Sequence, residues 1–512
     1  MPIDPTDARG AFGAAWLALW ADRLRWGWLG LALAAWASTF TLRWRPSNDS
    51  AEMLVIARQL SEGGRFQTLG GYHLGVMPGY PWLLGALERL GEAATLAIGL
   101  NALAFAAWVA FVFAWVRRSF DRSTAVVVAV MCACSARALE AAADVLPGML
   151  FATLLAALLW WDARARGAVA RLIGGGLLVG LMIGLRSVGL LVGLAWIASL
   201  GWRWCAGHGP GAGTEADAEP IDRERPWLRI LLGLAGLGAV VAMLPAVRDD
   251  AAALWNGWTT RGLSHAAWSS WETVSSAVPE AIFGIDPTPY GGVVLTGLAL
   301  VGVVLLTRER PAWGLLVAAL ALPWLLFLAT PRYVVPVLPL LYLGLWLAVR
   351  WAQARRSGLG WRVGLALAWA ALFAGNAVGV GRLAYEQRQT PFLEHFRGGR
   401  FATARATADW LQANTEPGAR VICTSRRRAV LSYWSDRAVL ERFGRPAINA
   451  GRLLVIEPAD EPFHLAMERY AGSVSAPLAT FEGPRRTPTW TVHEVTLPDA
   501  LGASGGKTAP TP

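Results

Sequence analysis

The sequence predicts a mainly α-helical polytopic membrane protein, with about eleven transmembrane helices and a small C-terminal α/β domain outside the bilayer. Three observations predict it. Of the 512 residues, 55% are hydrophobic and only 16% are charged, more apolar surface than a soluble fold of this size buries. Apolar runs long enough to cross a bilayer recur between short polar breaks as far as Leu383. Beyond that point helix and strand patterns alternate instead. The 28 tryptophans agree, because indole rings favour the membrane–water interface.

Residues 1–21 are polar to mildly apolar. The apolar run around Trp16 lacks a small-residue cleavage site, so the first span is expected to stay as an uncleaved anchor. That span covers Leu24–Leu42. A polar segment, 43–78, follows, and Pro81–Leu90 reads as a short apolar helix. Further spans are expected at Ala93–Val116, Thr124–Arg137, Leu146–Trp161, Ala168–Leu185 and Val188–Trp202. The Gly/Pro-rich stretch 206–226 reads as a loop. Later spans are expected at Trp227–Val247, Val293–Thr307, Ala312–Ala329, Tyr333–Arg350 and Val363–Leu383.

The C-terminal region reads as helix at Ala402–Ala413 and Pro462–Tyr470. It reads as strand at Arg420–Thr424, Arg437–Glu441, Leu453–Glu457 and Trp490–Leu497. The expected division is a membrane module over 1–384, with outer loops 43–80, 138–145 and 248–290, an outer α/β domain over 385–498, and a disordered tail over 499–512. No internal repeat stands out, which weighs against a transporter built from inverted halves.

The net charge is +10, and arginine supplies it: Lys507 is the only lysine. Arg117, Arg118, Arg164, Arg166, Arg203, Arg223, Arg225, Arg308, Arg310, Arg355 and Arg356 fall in alternate loops, which marks those loops as cytoplasmic. The N-terminus is then cytoplasmic and the C-terminal domain periplasmic, in a bacterial inner membrane. No basic domain stands apart from the spans, which argues against nucleic acid as a partner. The four cysteines are scattered and suggest neither a disulfide framework nor a metal site.

The polar features of the outer face centre on Asn48-Asp49-Ser50, directly after the first span. From Asp49 the chain reads as an amphipathic helix, with Met53, Ile56, Ala57 and Leu60 on one face and Arg58, Gln59 and Glu62 off it. Such a helix is expected to lie in the interface plane, apolar face in lipid. Asp49 and Glu52, three apart, face one way. Asp49 can equally be the helix N-cap, since Ser47, Asn48 and Asp49 all cap well. Downstream, Tyr72, His73 and Tyr80 flank the turn Pro78-Gly79-Tyr80-Pro81, and a lone histidine such as His73 is more often structural than catalytic.

Glu140 and Asp144 form a second acidic spot, before Pro147. A carboxylate so near the bilayer is costly unless it meets a wet cleft or a partner; helix-start capping is the alternative. Arg186 lies in a two-residue break between apolar runs, and Arg332 lies in Pro331-Arg332-Tyr333. Guanidinium groups at such places suit bidentate phosphate binding. They also suit snorkelling to lipid headgroups. Trp255, Trp258, Trp268 and Trp271 suit membrane anchoring better than sugar stacking.

An outward loop with an Asp opening an amphipathic helix, then a Pro-Gly-x-Pro turn, resembles the C-type (GT-C) polyprenyl-phosphate-sugar glycosyltransferases, such as protein O-mannosyltransferases and lipid A aminoarabinose transferases. The resemblance extends to Asp144-Val145-Leu146-Pro147, to Gly184-Leu185-Arg186-Ser187-Val188-Gly189 and to Arg332-Tyr333-Val334-Val335-Pro336-Val337-Leu338-Pro339. It covers most of residues 20–350. Members often carry a charged residue or His just before the first proline of the turn, whereas this chain has Gly75-Val76-Met77.

The resemblance implies an inverting glycosyltransferase that moves a sugar from a polyprenyl-phosphate donor to a lipid, glycan or protein acceptor at the periplasmic membrane face. It makes Asp49 the catalytic base and Asp144 the second acidic residue, with Arg186 and Arg332 as donor-phosphate contacts. Glu52, Arg58, His73, Tyr80, Glu140 and Tyr333 are counted with them as substrate-facing groups. Asp49, Glu52 and Asp144 are hard oxygen ligands of the kind a divalent metal takes, but the reaction needs no cofactor. The rival readings are a lipid-linked-sugar flippase or transporter, and a non-catalytic membrane scaffold with a binding domain.

Overall fold

The structure, a computed structural model, describes residues 25–42, 44–64, 66, 77–165, 167–205, 271, 275–284, 289–309, 311–326, 331–355, 358–388, 402–417, 419–423, 428–440, 452–458, 473–482 and 489–496. In chain order the helices are α1 (Arg25–Thr39), α2 (Asn48–Ser61), α3 (Gly79–Glu88), α4 (Ala93–Ser119), α5 (Arg122–Ala133), α6 (Ala136–Ala143), α7 (Gly148–Arg164), α8 (Ala168–Leu185) and α9 (Gly189–Cys205). An unnumbered helix over 275–283 follows. Then come α10 (Pro289–Glu309), α11 (Pro311–Leu326), α12 (Pro331–Val334), a 3-10 turn (Val335–Val337), α13 (Leu338–Arg355) and α14 (Leu359–Arg388). The C-terminal region holds α15 (Ala402–Asn414), β1 (Arg420–Cys423), α16 (Arg428–Ser435), β2 (Ala438–Leu440), β3 (Arg452–Pro458), β4 (Ser473–Val474), β5 (Ala479–Phe481) and β6 (Trp490–Thr496).

Every expected span except 227–247, which lies outside the described residues, falls on helical segments, though 124–137 and 333–350 are each interrupted. Fewer meet the length of a full crossing. Ala93–Ser119, Pro331–Gln353 and Leu367–Tyr385 are long and apolar enough, and the bent pair α5–α6 makes a fourth if counted as one span. The 27 residues of α4 give about 40 Å of helix, against a hydrocarbon core of about 30 Å. The figure of eleven crossings is therefore not reached among the described residues.

The chain divides into two compact units: Met1–Leu42, Gly75–Gly79 and Ile98–Ala384 form the first, and Arg43–Leu74, Tyr80–Ala97 and Tyr385–Pro512 the second. The first unit is a helical core in which Trp108, Trp115, Phe151 and Tyr342 are fully buried. Close backbone approach sets its packing. A Cβ on Gly302 of α10 would stand 2.7 Å from the Gly344 carbonyl carbon of α13, so only glycine lets these helices meet.

The expected span 124–137 is broken in the structure. Helix α5 ends at Ala133, the chain bends by 54°, and α6 restarts with Ser135 as N-cap, its side chain accepting from the Ala138 amide. A capping serine inside an apolar run was the signal. Residues 136–143, counted mostly as outer loop, are helix.

Three buried polar ties fix α6 at the centre of this unit. Asn376 on α14 accepts from the Ala136 amide at 3.2 Å and donates to the Ile282 carbonyl at 2.8 Å. The Tyr342 hydroxyl donates to the same carbonyl at 3.0 Å. Asn101, buried in α4, donates to the Asp144 and Leu146 carbonyls at 2.6 and 3.2 Å. Each group would otherwise be a costly polar atom in an apolar core.

In the second unit the sheet order is β2-β1-β3-β6-β4, with β5 also paired to β6. β1 runs parallel to β2 and β3, whereas β6 runs antiparallel to β3, β4 and β5. α15 and β1, β3 and β6 share a core of Ala404, Leu411, Val421, Ile456, Trp490 and Val492. The predicted helix 462–470 lies outside the described residues. Helix α16, which was not foreseen, packs between the sheet region and α2.

Candidate functional site

Helix α2 begins as the polar tetrad Ser47-Asn48-Asp49-Ser50 implied, but the cap is Ser47. Its side chain accepts from the Ser50 amide at 3.2 Å, and its own amide donates to the Ser50 hydroxyl at 3.0 Å. The Trp44 indole donates to that hydroxyl at 3.1 Å. Asp49 is thus not the N-cap. It stands in the first turn, exposed, where a negative charge complements the helix dipole.

The apolar face of α2 is buried in protein, not laid into lipid. Ala51, Leu54, Val55, Ile56 and Ala57 are at most 4% exposed, alongside the expected Met53 and Leu60. Helix α3 approaches closely enough that a Cβ on Gly85 would stand 3.1 Å from the Ala57 carbonyl oxygen. Helix α16 supplies Ala429 and Val430 against Ala51, and Trp44 meets Tyr433 edge-on at 4.8 Å. With so many partners the stripe has no need of a membrane surface.

Glu52, one turn past Asp49, lies 3.8 Å from Arg428 of α16. Arg58 lies over the Tyr433 ring at 4.8 Å, 3.5 Å from Asp436 and 3.9 Å from Glu88. Burial pushes the Tyr433 phenol up, and the Arg58 charge works against that. Arg58 therefore braces the unit. Tyr80 is 1% exposed. His73 lies outside the described residues.

In the first unit, α8 ends at Leu185 and Arg186 turns extended, its amide still bonded to the Met182 carbonyl at 2.9 Å. Its guanidinium lies 4.8 Å from the Tyr333 ring centre. Arg332 lies over the same ring at 5.2 Å and donates to the Tyr333 hydroxyl at 3.3 Å. The structure thus brings Arg186, Arg332 and Tyr333 together from distant segments. The Pro78-Gly79 turn joins them: a Cβ on Gly79 would stand 2.5 Å from the Gly184 carbonyl oxygen, so glycine is required for the turn to lie against this segment. Met77, 4% exposed, packs into the helical core, which accounts for an apolar residue where the resembled family is often charged.

Helix α12, carrying Arg332, packs on α6. On α6, Arg137 bridges Glu140 and Glu280 of the 275–283 helix in two ion pairs. Asp144 caps the C-terminus of α6 in an extended conformation and is half-buried; the start of α7 is Pro147, with no side-chain cap. Sequence reasoning missed Arg137 and Glu280 as a pair, and Asn101 as the residue that fixes Asp144. Polar residues inside apolar spans were the available signal.

Among the described residues no group of three or more His, Cys, Asp or Glu side chains is placed to hold a metal.

No protein-family model and no curated protein matches the sequence. Solved structures do match. ArnT from Cupriavidus metallidurans in the apo state superposes with a TM-score of 0.55 at 15% identity, over 96% of this chain and 99% of that one. The same protein bound to undecaprenyl phosphate gives 0.54 at 14% identity, over 92% and 98%. The archaeal oligosaccharyltransferase AglB from Archaeoglobus fulgidus, in complex with an inhibitory peptide and a dolichol-phosphate, gives 0.52 at 14% identity, over 90% and 74%. The chain therefore shares the fold of ArnT and AglB.

Proposed function

We propose that the chain is an inverting glycosyltransferase that moves a sugar from a polyprenyl-phosphate donor to an acceptor hydroxyl or amine at the periplasmic face of the inner membrane. The observation that carries this reading is the convergence of Arg186 and Arg332 on Tyr333. Two guanidinium groups held by one ring form a fork matched to a phosphate, which Lys or a single Arg matches less well. Support comes from the fold, since ArnT has been solved with undecaprenyl phosphate and AglB with a dolichol-phosphate.

In the reaction, the bond between the anomeric carbon and the phosphate oxygen breaks while the acceptor oxygen or nitrogen bonds to that carbon. The leaving polyprenyl phosphate gains negative charge, and Arg186 and Arg332 stabilise it. Asp49 takes the acceptor proton. One displacement inverts the anomeric carbon, because no second carboxylate is assigned as a nucleophile. Asp144, held by Asn101 through its backbone, is the second acid of the site. Arg137 and Glu140 brace α6 beside it.

Binding of undecaprenyl phosphate to the purified chain tests the phosphate fork. Arg186→Ala and Arg332→Ala should each weaken it about 10- to 100-fold, as loss of a charge-assisted hydrogen bond does. Lysine at either position should rescue only in part. Wild-type binding that neither alanine variant alters would remove the fork from the mechanism.

A further inference from the structure

The C-terminal sheet region has no part in the reaction as drawn, yet it grips the helix that carries Asp49. Helix α16 lies along α2, and the contact is cross-braced at three levels. Near the start of α2, Trp44 fits edge-on to both Tyr433 and Trp434, at 4.8 and 6.3 Å, while its indole bonds to Ser50 of the capping box. One turn along, Glu52 faces Arg428. Further on, Arg58 meets the Tyr433 ring and Asp436 together.

Asp436 closes this contact. It directly follows α16 and has φ of 53°, the one described non-glycine residue in the left-handed region. Glycine would adopt that conformation without strain. Aspartate also tolerates it, at little cost, and adds the ion pair to Arg58. The pair is half in solvent and contributes little to stability by itself. It can still fix where α2 sits along α16.

We propose that the C-terminal α/β region acts as a clamp that sets the position of the Asp49 helix, with Tyr433 and Asp436 as positioning residues working through Arg58. This inference rests on the reading of Asp49 as the base, but its first readout does not depend on catalysis. α16 joins the sheet core through Leu431, so a movement of the sheet region would be transmitted to α2.

Hydrogen exchange of the full chain in detergent tests the clamp with Asp436→Gly, which removes the carboxylate and relieves the backbone. The clamp predicts that amides of α2 exchange about tenfold faster while those of β1, β3 and β6 keep their wild-type rates. Asp436→Asn, which tolerates the same backbone and keeps an acceptor for Arg58, should restore most of the protection. With radiolabelled undecaprenyl-phosphate sugars as donors, Asp436→Gly should lower kcat about tenfold and leave KM for the donor unchanged. Unchanged α2 exchange in Asp436→Gly would overturn the clamp. Faster exchange in α2 and sheet alike would overturn it too, because Asp436 would then only hold the sheet region together. If Asp49→Asn proves active while Asp436→Gly loosens α2, the base assignment fails and the clamp stands.

Discussion

Arg186 and Arg332 of the first unit and the charges of α2 in the second are carried in different ways. In the first, Arg186 and Arg332 rest on an aromatic ring at the ends of apolar helices, and the buried polar ties run from Asn101, Asn376 and Tyr342 to backbone carbonyls. In the second, Glu52 and Arg58 of α2 meet side chains of α3, of α16 and of the residue after it: Glu52 with Arg428, and Arg58 with Glu88 and Asp436. A carbonyl tie fixes backbone and leaves side chains available. A side-chain brace consumes the charges that make it. The difference teaches that charged residues of one helix are not equivalent candidates. Arg58 meets Tyr433, Glu88 and Asp436, whereas Asp49 stands exposed in the first turn of the same helix.

The comparison breaks most visibly at Asp49. Asp49→Asn should lower turnover by roughly 10²- to 10⁴-fold, the range of a lost general base, while Arg58→Gln costs far less. A similar loss in both, read as kcat of purified protein, would erase the distinction. Next comes the turn in the first unit. Gly79→Ala forces a methyl to within 2.5 Å of the Gly184 carbonyl oxygen, and should destabilise the fold by about 1–3 kcal/mol while displacing the Arg186 segment. Thermal unfolding together with undecaprenyl phosphate binding reads both effects, and a variant with wild-type values in each would mean the close approach is absent.

Asn376→Leu tests the carbonyl ties. It strands the Ala136 amide and the Ile282 carbonyl, though Tyr342 still serves the latter, and should cost about 1–3 kcal/mol. The smallest effect belongs to Asp121, the N-cap of α5. Burial opposes its ionisation, but hydrogen bonds from Ser123 and Thr124 and the Arg350 charge outweigh burial and lower its pKa from 3.8 to about 2. A depressed carboxylate contributes stability above its unfolded value and loses it as pH falls through the folded one. Asp121→Asn should therefore lower the unfolding temperature near neutral pH, with the gap to wild type closing between about pH 4 and pH 2.

Much of the helical layout was legible because long apolar runs and their polar breaks are local signals; α8 was predicted to the residue. The start of α2 was legible for the same reason, though three capping residues in a row hid which one caps. The fate of its apolar face was not, because a stripe reads alike whether it meets lipid or protein, and α16 is a helix of only 8 residues. The bend at Ser135 was obscured by apolar residues on both sides. The meeting of Arg186 with Arg332, and of Arg137 with Glu280, joins segments far apart in sequence, and a single chain's pattern does not encode such pairing. Arg332-Tyr333 and Arg186 were each legible as candidates, but the ring that unites them was not.

The central claim is transfer from a polyprenyl-phosphate sugar with Asp49 as base. Single-turnover reactions with a panel of radiolabelled undecaprenyl-phosphate monosaccharides, run on wild type and Asp49→Asn beside undecaprenyl phosphate binding, test it most directly. The account predicts that wild type transfers one or more of these sugars with inversion at the anomeric carbon, and that Asp49→Asn binds undecaprenyl phosphate as tightly yet transfers none. Transfer by Asp49→Asn at the wild-type rate, or binding without transfer by wild type across the whole panel, would contradict it.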